Sequence, residues 1–118
     1  MTINIIQGDS SDTYTFESSD IGTFDANWSS KYAIVPALGE TAVLSGTLQK
    51  NVETVDALAD TQFILSLLPY QTQSLAVGNY ILCVEITQVA DPNASPVLVT
   101  YRKEVMQERL VIKKQGVA

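Results

Sequence analysis

Four aspartates fall close together near the start of the chain: Asp9, Asp12, Asp20 and Asp25. Loop carboxylates can gather calcium, which takes roughly six to eight oxygens. The spacing of a calcium-binding loop is missing here, and Asp is common in turns because it bonds nearby backbone. Two carboxylates across a cleft could hydrolyse glycosidic bonds, but no feature sets two of these acids across one. Ser10, Ser29 and Ser74 are the candidate nucleophiles, and none lies in a G-x-S-x-G turn. The chain has no His and one Cys, Cys83. Without imidazole it can build no Ser-His-Asp or Cys-His machine and no His-ligated zinc site. One Cys forms neither an internal disulfide nor a Cys-rich metal site. The six glycines are scattered and cradle no phosphate. No catalytic, cofactor-binding or metal-ligating residue is assigned, and the expectation is a protein that is not an enzyme and uses no cofactor.

Three other features carry recognition chemistry. Trp28, Tyr32, Tyr70 and Tyr101 could stack on the apolar face of a sugar; the ordinary place for such residues is a core or an interface. Cys83 alternates with Leu82 and Val84, which points it away from the core as a small hydrophobe under a covering element. Arg109, Lys113 and Lys114 read as a solvated strand face or as a contact for an acidic neighbour.

The chain of 118 residues is the size of one domain. Its net charge of -6 repels phosphate backbones, which argues against nucleic acid. Residues 1–60 hold nine acids and two bases, and residues 61–118 hold four acids and five bases. If strands from both halves interleave, this asymmetry averages out; if not, a basic end meets an acidic neighbour. No run of 18 apolar residues is present to span a membrane. The opening MTINIIQGDSSD lacks a basic, then apolar, signal-peptide pattern.

The elements that must position these residues have a period of two. Residues 2–7, 12–18, 26–35, 41–50, 61–68, 78–89 and 97–114 read as strands. In 41–50, Ala42, Leu44, Gly46 and Leu48 share a face. Residues 51–60 are acidic and read as a long connection. Residues 69–77 read as one helical turn across the end of a sheet, and Asp20-Ile21-Gly22 as a strand break. The last segment is too long for one regular strand, so a bulge or bend is expected near Glu104. About seven or eight strands with turns between them predict an all-β, antiparallel two-sheet sandwich. Leu75-Ala76-Val77-Gly78-Asn79-Tyr80, leading into an alternating strand, adds an L-x-x-G-x-Y pattern. It matches the tyrosine corner of immunoglobulin-like sandwiches, where a Tyr bonds back to upstream backbone.

Two further segments accompany it: Ile6-Gln7-Gly8-Asp9 in the first turn, and Thr72-Gln73-Ser74-Leu75 running into the Tyr80 pattern. With Phe63-Ile64-Leu65-Ser66-Leu67 and the closing Leu110-Val111-Ile112, the chain resembles small immunoglobulin-like β-sandwich structural proteins of tailed phages and prophages. The N-terminal domain of baseplate upper proteins is one kind. The resemblance spans most of the chain and rests on structural motifs. It implies a virion component made in the host cytoplasm, with other phage structural proteins or copies of itself as partners. It carries over no catalytic residue. The chain departs from the baseplate type in having no coiled coil or receptor-binding module behind it, which argues against host-receptor binding and favours an adaptor or decoration role; the locations left open are capsid decoration, head-tail adaptor and tail or baseplate component. The second reading is a carbohydrate-binding module on the virion surface, which requires exposed, coplanar aromatics.

Overall fold

The computed structural model describes residues 1–18, 27–55, 57–91, 93, 95, 96 and 98–116. Their elements are β1 (Thr2–Ile6), β2 (Tyr14–Glu17), β3 (Trp28–Val35), β4 (Leu44–Gly46), β5 (Gln49–Val55), β6 (Leu58–Leu65), α1 (Pro69–Gln73), β7 (Gly78–Val89) and β8 (Val99–Lys113). Two sheets form, one in the order β1-β8-β7-β3-β4 and the other β2-β6-β5.

Period two explains the packing. In β1, Ile3 and Ile5 are buried while Thr2, Asn4 and Ile6 face water. In β7, Leu82, Val84 and Ile86 point inward. They meet Trp28, Tyr32 and Ile34 of β3, Leu110 and Ile112 of β8, and Phe63 and Leu65 of β6 in one core cluster. The expected all-β, two-sheet sandwich is therefore present. So are the helical turn, as α1, and the irregularity near Glu104. The β7–β8 register jumps from Val84↔Met106 to Glu85↔Glu104, which leaves Val105 as the extra residue.

Three expectations need correction. The sandwich is not wholly antiparallel: β1 runs parallel to β8, with Ile3 opposite Leu110 and Ile5 opposite Ile112. The chain leaves β1 for the opposite sheet, so no hairpin forces β1 into antiparallel pairing. Residues 41–50 are not one strand. They form β4, cross at Thr47 and Leu48, and open β5 in the other sheet. The alternation survives the crossing because Leu48 is still buried, and a period of two does not say which sheet a strand joins. Residues 51–60 are not a long connection. They supply most of β5 and the start of β6, paired from Gln49↔Ile64 to Val55↔Leu58. Residues 51–54 of β5 are exposed throughout, so no apolar alternation marks this edge strand. The expected break at Asp20-Ile21-Gly22 lies outside the described residues.

Candidate functional site

The two segments that open the resemblance meet in space. The Gly8 N–H donates to Thr72 Oγ1 at 3.1 Å, and that hydroxyl donates to the Asp9 carbonyl at 2.7 Å. Gln7 Nε2 donates to the Leu75 carbonyl at 2.8 Å. Ser11 exchanges two bonds with Leu67: its N–H donates to the Leu67 carbonyl at 3.0 Å, and its Oγ accepts the Leu67 N–H at 2.8 Å. Thr72 is fully buried at the centre of this knot. Gly8 sits at φ +89°, and a Cβ there would lie 2.7 Å from Gln73 Oε1. The turn thus needs glycine for its conformation; the Gln73 amide, at the end of a flexible side chain, could move aside. The knot ties the end of β1 to α1, which lies between β6 and β7.

The same connection then enters β7. Tyr80 donates its hydroxyl proton to the Ala76 carbonyl at 2.6 Å. This is the upstream backbone bond that the L-x-x-G-x-Y pattern predicts. Tyr80→Phe keeps the ring and loses the bond, so thermal unfolding should show a loss of about 1 kcal/mol.

The four aromatics do not form one exposed plane. Trp28 and Tyr32 are buried. Tyr101 meets Trp28 edge-on, with centroids 5.5 Å apart and planes at 76°. Only Tyr70 is open, at 70% exposure. Tyr32 Oη accepts from Gln71 Nε2 at 3.2 Å. Burial, helped by the nearby Tyr70, holds the Tyr32 phenol above its ordinary range, against the lowering effect of the Gln71 bond. Two cavities, of about 370 and 230 Å3, flank the Thr47-Leu48 crossing. Tyr32, Leu67 and Gln71 line the first, and Trp28, Lys50 and Phe63 the second. Trp28 Nε1 is buried, with no hydrogen-bond partner among the described residues.

Cys83 lies on the outer face of the larger sheet, half-buried beside Lys31, Ala33, Glu85 and Glu104. Burial is the main force raising its thiol to about 11; the hydrogen bond to Glu104 and that carboxylate's charge add to it. An unperturbed thiol ionises near 9. The folded form therefore holds its proton where the unfolded chain releases it. The associated stability is complete below pH 9 and is lost as pH rises from about 9 to 11. Iodoacetamide labelling of the native protein should titrate with a midpoint near 11, and Glu104→Gln should lower that midpoint.

The remaining sequence candidates are scattered. Asp9 and Asp12 are exposed, and Asp20 and Asp25 lie outside the described residues. Among the described residues no three His, Cys, Asp or Glu side chains gather to hold a metal. Ser10 is in the first turn and Ser29 on the exposed face of β3. Ser74 caps α1, with Oγ donating to the Gln71 carbonyl at 2.6 Å. The described residues include no helix long and apolar enough to cross a membrane.

Sequence reasoning missed a second buried polar group. Ser18 Oγ donates to Asp60 Oδ1 at 2.9 Å and accepts the Thr61 N–H at 3.0 Å. All three residues are buried. Asp60 sits in the acidic stretch whose pairing the sequence concealed, so nothing local marked it.

The charge asymmetry also takes form. Strands of the two halves interleave in both sheets, so the halves are not poles. Yet four of the seven bases, Arg102, Lys103, Arg109 and Lys113, lie on one strand, β8, with Lys114 just beyond it. Glu85 lies 3.6 Å from Lys31 and 3.5 Å from Arg102.

No family model, curated protein or solved structure matches this chain.

Proposed function

We propose that this protein is an immunoglobulin-like structural subunit of a tailed-phage particle, working through protein–protein contacts rather than catalysis. The carrying observation is the knot itself. Gln7-Gly8-Asp9 and Thr72 to Tyr80, 60-odd residues apart, are bonded to each other and to β7. The motifs behind the resemblance thus act as one structural unit.

The strand order supports the immunoglobulin-like reading. In the immunoglobulin fold, strands B, E and D share one sheet, and C, F and G share the other. Lettered A, B, C, C′, D, E, F and G in chain order, the eight strands give the same division, with A and C′ at the edges of the G-F-C sheet. Trp28 on strand C is buried, and Tyr80 opens strand F with its corner bond. Leu82 stands where antibody domains place the second cysteine, two residues after that Tyr. The core is closed there by packing alone.

A role in contacts draws on exposed apolar side chains, including Leu68 and Tyr70 at α1 and Leu98 and Val99 at the start of β8. The geometry of the four aromatics gives the glycan reading no comparable support. The test is co-sedimentation of the purified protein with phage heads and tails, followed by electron microscopy of the particles. Stoichiometric incorporation is expected; a strict monomer that joins no particle overturns the reading.

A further inference from the structure

The longest strand leaves most of one edge unpaired. β7 pairs with one side of β8 from Val99 to Ile112. On the other side, β1 covers only Arg109–Lys113. Among the described residues no strand pairs with Val99–Glu108 on that side. The Met1 ammonium lies 3.1 Å from Glu108 Oε2. Every second residue of an unpaired edge presents its N–H and C=O outward, a template for another strand.

The side chains select what can sit there. Arg102 and Lys103 are adjacent on the strand, so they point to opposite faces of the sheet, and both are exposed; Arg102 Nε already lies 3.5 Å from Glu85 Oε1, so a docked acid would share this guanidinium with Glu85. Glu104 is held from its own chain by Gln107 Nε2 at 3.4 Å and by the Cys83 thiol. A second copy fits poorly. Antiparallel pairing about Lys103 places Arg102 opposite Glu104 but Lys103 opposite itself, and like charges directly opposite destabilise a pair. Sliding the register onward meets the bulge at Val105. Bulges and edge charges are also how sheets refuse indiscriminate pairing.

We propose that Val99–Glu108 is a docking edge for an extended segment of another protein with two consecutive acids, one for Arg102 and one for Lys103. The strand would extend the lane that β1 begins. This rests on the reading of the protein as a contact subunit, but its test is independent of particle assembly.

The probe is a ten-residue peptide with Glu-Asp at its centre and alternating Thr and Val on both sides; the control carries Lys-Arg at the centre. Amide hydrogen exchange is followed by NMR at low and high salt. The acidic peptide should slow exchange of outward amides within Val99–Glu108 by at least about tenfold, and salt should weaken the effect. Arg102→Glu with Lys103→Glu should abolish it and accept the Lys-Arg peptide instead; each exposed single substitution should weaken it. Four results overturn the proposal: no protection at millimolar peptide, protection elsewhere, equal response to both peptides, or the same protection from raising protein concentration alone, which would assign the edge to a second copy. A peptide failure alongside normal particle incorporation removes the docking edge and leaves the proposed function standing.

Discussion

Phe63→Ala should destabilise the protein by about 4 kcal/mol, in the range for truncating a buried aromatic. Phe63 is on the inner face of β6, almost wholly buried, between Phe16 of β2 and Lys50 of β5. Among the described residues the smaller sheet has three strands, and Phe63 and Leu65 are their buried apolar side chains, so this ring carries much of the attachment to the larger sheet. It already borders the cavity of about 230 Å3 beside Trp28. Removing the ring enlarges a void that neighbours cannot easily fill, and voids add to the lost transfer energy. Against a typical stability of roughly 5–15 kcal/mol, the loss leaves a marginal fold. Urea unfolding at 25 °C is the measurement. Phe63→Leu should lose far less, about 1–1.5 kcal/mol. Val52→Ala on exposed β5 should change stability by less than about 0.5 kcal/mol. If Phe63→Ala proves as mild as Val52→Ala, the two sheets are not held together at this point.

Thr72→Val should cost about 2–3 kcal/mol although it keeps the shape of the side chain. The hydroxyl accepts the Gly8 N–H and donates to the Asp9 carbonyl, and it is buried. Valine takes the shared partner away from two backbone groups in a part-buried turn, and each lost bond costs about 1 kcal/mol, more where water reaches the group poorly. Thr72→Ser keeps the hydroxyl and should recover most of the loss. The two variants share the loss of one group or the other, so thermal unfolding separates bonding from packing. Hydrogen exchange should place the Thr72→Val damage in the first turn and β1, with β3 and β7 little changed. Equal stability of the valine and serine variants would remove the knot as a stabilising unit.

The strands that the sequence made legible are those with one wet face and one buried face. β1, β3 and β7 alternate clearly because each borders the core along its length. β5 was illegible for the opposite reason: its residues 51–54 are all exposed, and its pairing depends on β6. The aromatics were legible as a set but not by role. Type and spacing cannot tell buried Trp28 from open Tyr70, because burial depends on what the opposite sheet brings.

By itself, the sequence determined the chemistry on hand and the period of the strands: no histidine, one cysteine, an all-β pattern and a bend near Glu104. These follow from residue type and local backbone geometry, which need no distant partner. Only the tertiary structure decided that β1 lies parallel to β8, that the chain changes sheets at Thr47-Leu48, and that Thr72 bonds the first turn. It also decided that an acid in the middle of the chain, Asp60, is buried against Ser18. Each depends on residues far apart in sequence meeting when the core closes. Pairing partners and burial are properties of that closure, and a period of two is the same whichever partner a strand finds.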